Sequence, residues 1–246
     1  MSFISTKLGQ FRYFDKQLGH PVWHKKRVLD FGGNCGNLLK DPTATIDEDN
    51  YWCIDVSRDG LSRGKETFPK GHWIFYNRHN FQFNPEGIKG LRVPGTSERF
   101  DFILAYSVFT HTTKTEMIDM VAQLRERLTD RGLVAFTFFD PQWMALNGDP
   151  FPGSNLNWRL QVNQVANPAM DIDSLLEKSR DAKWVTLVDH ELFVDESEYE
   201  PGGSSADQKA YIVFCDPQHM RTIFPDSEIL PPAAPERHHC CILRST

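Results

Sequence analysis

The residues with the most chemical content follow short apolar runs. Val28-Leu29 leads into Asp30, and the chain then passes through Gly32-Gly33-Asn34-Cys35-Gly36 before Leu38-Leu39. A buried strand, a tight glycine turn and the start of a helix are how backbone N–H groups are brought against a nucleotide-like ligand. A second run, Tyr51 to Val56, carries Asp55 at its end. The plain alternative for both acids is capping, Asp30 over its own turn and Asp55 over the next helix. His111 follows a third apolar run and precedes a helix, a position open to a general base or to a structural histidine. Arg159 lies in a long stretch rich in proline and has the planar fork that clamps a carboxylate, with a plain surface arginine as the alternative. His238-His239-Cys240-Cys241 contains zinc-ligand types. Neighbours on a strand point to opposite faces, however, and no second Cys/His cluster completes a site, so a final edge strand without metal is expected.

The elements around these residues alternate. Strands are expected at 28–30, 51–56, 73–76, 100–106 and 133–139, with a helix beginning at Leu38 and further helices at 58–68, 115–128 and 171–183. Met117, Met120, Val121, Leu124 and Leu128 give the 115–128 helix its apolar face. Such alternation implies a parallel sheet covered on both sides. The two later strands, 184–194 and 209–215, have no helix between them and should form an antiparallel hairpin, joined by a flexible segment from Glu198 to Asp207. Residues 3 to 23 read as short aromatic helices, either packed on the sheet or folded over the site as a flap. Residues 41–50 read as a solvated loop.

Composition sets limits. The 246 residues are 40% hydrophobic and 24% charged, with a net charge of −6, which argues against a general nucleic-acid binder. Five cysteines in no framework spacing read as reduced thiols, hence a cytoplasmic setting. The start, MSFISTKLGQFRYF, lacks a signal-peptide core, no run reaches membrane-spanning length, and the terminal RST is not a prenylation signal.

Two ligand classes use a glycine turn after strand one and an acid ending strand two. Dinucleotides need Gly-x-Gly-x-x-Gly; counted from Gly32, the second and third glycines are Asn34 and Asn37, so that fingerprint fails twice. S-adenosylmethionine has no pyrophosphate, and its ammonium suits an acid. On Asp30-Phe31-Gly32-Gly33-Asn34-Cys35-Gly36 the chain resembles the class I S-adenosylmethionine-dependent methyltransferases, whose motif is acid-x-Gly-x-Gly-x-Gly. Asn34 replaces the middle glycine, and asparagine is among the side chains most at ease with positive φ.

The resemblance runs from Asp30 to about Cys215. It implies an α/β, Rossmann-like three-layer sandwich: a mostly parallel seven-stranded sheet with an antiparallel terminal hairpin. The whole of residues 1–246 would be one methyltransferase domain, with an N-terminal helical cap (1–26), a lid loop (140–170) and a C-terminal extension (216–246). It implies S-adenosylmethionine as cofactor, held by Asp30, Gly32, Gly33, Asn34 and Gly36. Asp55 with Val56 would take the ribose, His79-Asn80-Phe81 the adenine, and Tyr106-Ser107 the methyl donor. His111 would be the base. Tyr13, Phe14, Trp143 and Arg159 would shape the substrate pocket.

The expected reaction is in-line methyl transfer to O, N or C of a small metabolite, of the kind natural-product biosynthesis uses. The strand-four segment AYSV differs from the Asn-Pro-Pro-Tyr type linked to methylation of amino groups on adenine or glutamine. The alternatives are an NAD(P)-dependent oxidoreductase, disfavoured by the two asparagines, and a protein that keeps this fold without transferring methyl groups.

Overall fold

The computed structural model describes residues 9–144, 153–195, 211–233 and 236–245. Its core is a seven-stranded sheet. Five parallel strands come first: β1 (Val28–Phe31), β2 (Tyr51–Asp55), β3 (His72–Phe75), β4 (Phe100–Ala105) and β5 (Leu128–Phe138). Two late strands, β9 (Glu228–Leu230) and β10 (His239–Arg244), complete it in the order β3-β2-β1-β4-β5-β10-β9. β10 runs antiparallel to both of its neighbours. The direction of strand winding reverses between β1 and β4, and open α/β sheets bind ligands at such a crevice, beyond the carboxyl ends of the strands.

The two faces have different covers. Val28, Tyr51, Cys53, Leu104 and Ile242 pack against Phe11, Tyr13 and Phe14 of α1 (Gln10–Gln17) and Leu61 of α2 (Arg58–Thr67). On the other face Leu29, Ile103, Val134 and Phe136 meet α3 (Lys114–Arg125) through Met117, Met120, Val121 and Leu124, as expected from sequence, but the helix ends at Arg125 and Leu128 opens β5 instead of completing the stripe. Thr113 and Glu116 start that helix with a reciprocal capping box.

A second sheet stands apart from the first. β6 (Trp184–Val188), β7 (Glu191–Val194) and β8 (Tyr211–Cys215) form an antiparallel three-stranded unit, β7-β6-β8. One face of it joins the main core through Trp184, Tyr211 and Val213. The other packs Val185, Leu187, Ile212 and Phe214 against α4 (Asn155–Gln164) and α5 (Ile172–Lys178). A short helix, α6 (Pro217–Ile223), leads back to β9.

Several sequence expectations change. The pair at 184–194 and 209–215 is not the end of the main sheet: it is a separate sheet, and residues 184–194 fold back as two strands through a turn at Asp189, whose φ is 51°. The terminal hairpin belongs instead to β9 and β10, so 216–246 contributes strands to the core rather than extending from it. β10 is internal, with β9 as the edge. The 140–170 stretch contains α4. Residues 33–40 make successive turns, not a helix; Gly36 at φ 81° and Pro42 oppose a longer run. In the 41–50 loop, Asp41 and Ile46 are buried, and Asp41 accepts hydrogen bonds from Arg12 and Thr43, which hold its carboxyl below the usual range. The Glu198–Asp207 segment and residues 145–152 lie outside the described residues. No helix among those described is long and apolar enough to cross a membrane.

Candidate active site

A cavity of about 460 Å³ opens at the carboxyl ends of β1, β2 and β4. The glycine turn forms its floor. Gly32 has φ 78°, and a Cβ there would stand 2.4 Å from Val108 Cγ2, so glycine alone fits this close approach. Asn34 follows at φ 52° in the left-handed region, and its N–H donates to Asp55 Oδ2 at 2.7 Å. Asparagine thus takes the conformation that the missing glycine would have supplied. Ser107, after β4, is also left-handed at φ 56°; its N–H is held by Thr137 Oγ1 at 2.7 Å. Two non-glycine residues in this costly conformation face one cavity, where local strain tends to collect.

Asp55 lines the cavity with Val56. Its second oxygen accepts from Ser57 N at 2.7 Å. Burial raises its pKa, opposed by the N–H donors of Ser57, Asn34 and Val56. Asp30 is placed differently. It is fully buried beneath the turn, outside the lining, and accepts from Tyr51 Oη at 2.6 Å. Burial raises its pKa to about 7, partly countered by that hydrogen bond. A Cβ on Gly33 would meet Asp30 Oδ2 at 2.3 Å, so the acid presses on the turn from below rather than facing a ligand.

His111 closes the far side. Its ring Nδ1 lies 2.7 Å from the Tyr211 carbonyl oxygen. A carbonyl only accepts, so Nδ1 carries the proton and Nε2 keeps a lone pair. Burial lowers its pKa, the Tyr211 carbonyl opposes this, and the positive charge of Arg159 lowers it further, so the ring is neutral near pH 7. The backbone carbonyl of His111 accepts from Asn80 Nδ2 at 2.9 Å.

The structure brings Gly32, Asn34, Asp55, Val56, His79, Asn80, Tyr106, Ser107 and His111 to the cavity wall. It leaves Asp30, Gly33, Gly36, Phe81, Tyr13, Phe14, Trp143 and Arg159 off that wall. Asn80 divides its side chain between its own loop, accepting from Gln82 and Phe83 N–H, and the His111 carbonyl, and Phe81 packs on Tyr211 at 5.3 Å. Tyr13 and Phe14 are wholly buried behind Tyr106, with ring centroids 5.4 and 6.1 Å from it, so they support the wall instead of forming it. Trp143 packs edge-on against His239 at 5.2 Å.

Sequence reading missed Gln10, Asn37, Arg78 and Phe83, all of them lining. Phe83 meets the His111 ring edge-on at 5.2 Å and is 53% exposed. Arg78 is buried and donates to the Leu91 carbonyl and toward Asp119, tying the segment after β3 to α3. His238 packs on Tyr106 and Phe139, and His239 on Phe138 and Trp143, so the two histidines diverge. No metal-ligating cluster of three or more groups occurs among the described residues.

Residues 29–134, from β1 into β5, match the family model of a methyltransferase domain. CalS10, an amino pentose methyltransferase of Micromonospora echinaspora solved with S-adenosylmethionine, aligns with a TM-score of 0.53 at 13% identity, over 98% of this chain and 93% of its own. The CcbJ methyltransferase of Streptomyces caelestis gives 0.51 at 12%, over 97% and 89%. An S-adenosylmethionine-dependent methyltransferase of Clostridium acetobutylicum gives 0.51 at 10%, over 98% and 92%. No curated protein matches the sequence.

Proposed function

We propose that this chain, whose residues 29–134 match the methyltransferase-domain model and whose fold is shared with S-adenosylmethionine-dependent methyltransferases, is itself such an enzyme and methylates a small molecule whose nucleophile is deprotonated by His111. The observation that carries this reading is the 2.7 Å contact from His111 Nδ1 to the Tyr211 carbonyl, which leaves Nε2 as the proton acceptor on a ring lining the cavity. A neutral histidine at working pH is the state a general base requires.

The donor set fits the cofactor. Asp55, held by two backbone N–H groups, would accept from the ribose hydroxyls. Ile54, Val56, Val108 and Met120 offer an apolar slot for a flat ring. Gly32 and Asn34 would let the backbone approach. The bound cofactor supplies an electrophilic methyl on a sulfonium, so the protein's work is positioning and proton removal. Tyr106, whose hydroxyl donates to Glu236 at 2.9 Å, is fixed in place at the wall, and its electron-rich ring suits a neighbouring cation. His111 would hold the abstracted proton at Nε2.

A small acceptor is supported by the acidic chain and by CalS10, described as an amino pentose methyltransferase of calicheamicin biosynthesis. Natural-product biosynthesis is therefore the setting we favour. Five free thiols fit a reducing, cytoplasmic one.

Calorimetry with S-adenosylmethionine, S-adenosylhomocysteine and NADH tests the cofactor: the sulfur nucleosides should bind and NADH should not. Once an acceptor is found by its added CH₂ mass, His111→Ala should lower kcat at least about tenfold with cofactor affinity kept. Unchanged turnover removes His111 as the base.

A further inference from the structure

The stretch Glu236-Arg237-His238 runs into β10 and is held by three separate parts of the chain. The Arg237 carbonyl accepts from Asn155 Nδ2 of α4 at 3.1 Å, and the His238 carbonyl accepts from Tyr13 Oη of α1 at 2.9 Å. Glu236, only 4% exposed, reaches Tyr106 of the cavity wall, and its Oε2 accepts from Tyr106 Oη at 2.9 Å. That bond joins residues 130 positions apart, so the C-terminal segment touches the site only through the closed fold.

Tyr106 has little freedom to turn. Tyr13, Phe14 and His238 pack on its ring, with centroids 5.4, 6.1 and 4.8 Å away. A phenol has one proton, and here it goes to the carboxylate. His238 Nδ1, 3.3 Å from the same oxygen, is therefore the donor of its own contact. Burial raises the pKa of the Tyr106 hydroxyl, and the Glu236 charge and hydrogen bond raise it further. Arg237 turns the other way, with its guanidinium 5.0 Å over the Trp158 ring.

A carboxylate that accepts a phenol's proton polarises the O–H bond and leaves the ring richer in electrons. The face of such a ring attracts a cation more strongly. We infer that Glu236 is a positioning residue that acts through Tyr106 to make the site prefer the charged methyl donor over its neutral product. This rests on the methyl-transfer reading and extends it by giving the C-terminal segment a part in the reaction cycle. Donor and product differ by one methyl group and by the charge on sulfur. Methyl transfer leaves sulfur neutral, so this attraction ends with the reaction, and exchange of product for fresh donor is favoured.

The test uses the whole chain and calorimetric titration with S-adenosylmethionine and S-adenosylhomocysteine. Glu236→Gln keeps a carbonyl oxygen for the Tyr106 proton and removes the charge. It should weaken S-adenosylmethionine at least about fivefold and leave S-adenosylhomocysteine within about twofold. Tyr106→Phe keeps the ring and cuts the link, and the same one-sided loss, at least about threefold, is expected. With Tyr106→Phe already present, adding Glu236→Gln should change S-adenosylmethionine affinity by no more than about twofold.

A carboxylate that merely supports the fold would weaken both nucleosides equally; that result, or an unchanged ratio of the two affinities, would overturn the proposal. A larger further loss in the double variant would mean that the charge acts without Tyr106, and would overturn it too. Thermal melts check folding, and if Glu236→Gln does not fold, Tyr106→Phe alone decides by the same ratio. Failure of the unaltered chain to bind either nucleoside would sink the methyl-transfer reading. Binding of both, with a ratio that the variants leave unmoved, sinks only the role of Glu236.

Discussion

Asn34 and Asp30 are residues whose roles differ from what their motif positions suggest. Asn34 stands where methyltransferases of this class carry glycine, and it holds φ 52° while donating to Asp55. Asn34→Gly should therefore keep S-adenosylhomocysteine affinity within about threefold and change stability by less than about 1 kcal/mol. Gly32→Ala should abolish binding, since its methyl would overlap Val108. Calorimetry and thermal melts read both. Asp30 tests the turn from below. Its folded pKa, about 7, lies above the ordinary carboxylate value, so its contribution is fully present below about pH 4 and is lost as pH rises through 7. Asp30→Asn keeps an acceptor for Tyr51 and removes the titration. Urea unfolding at pH 5 and pH 8 should show the wild type losing stability relative to the variant, by at most about 3 kcal/mol. Equal pH dependence in the two proteins would refute this account of Asp30.

At the scale of elements, the C-terminal segment matters most. Read from sequence, residues 216–246 extend from a finished domain; in the fold, β10 lies between β5 and β9. Leu243, fully buried on β10, belongs to the main core. Leu243→Ala should cost about 2–5 kcal/mol in chemical unfolding, a core-sized loss. A loss below about 1 kcal/mol would mean that the strand is dispensable. The sequence misled here because a strand's neighbours are not written in its own residues. Cys240 to Leu243 reads as a strand of any position, and the hairpin at 184–194 with 211–215 competes for the same place. The periodic elements were legible: the α3 stripe, the apolar runs of β1, β2 and β4, and the acid ending β2 each carry their own local signal. Residues 33–40 failed because glycine at positive φ and a following proline override a pair of leucines.

For the molecule as a whole, the sequence by itself determined the sheet-and-helix class, the glycine turn with its tolerated asparagine, the acid that ends β2 and, through an ordered set of motifs, the resemblance that points to the cofactor. These are properties of residues near one another in the chain, where backbone preference and side-chain chemistry act directly. Tertiary structure decided which of those residues meet. Only folding sends Asp30 under the turn, puts Tyr13 and Phe14 behind Tyr106, and sets the Tyr211 carbonyl on His111 across 100 residues of chain. The turn after strand one is a local pattern written in consecutive residues; the surroundings of His111 are set by long-range contacts, where the Tyr211 carbonyl fixes which ring nitrogen carries the proton.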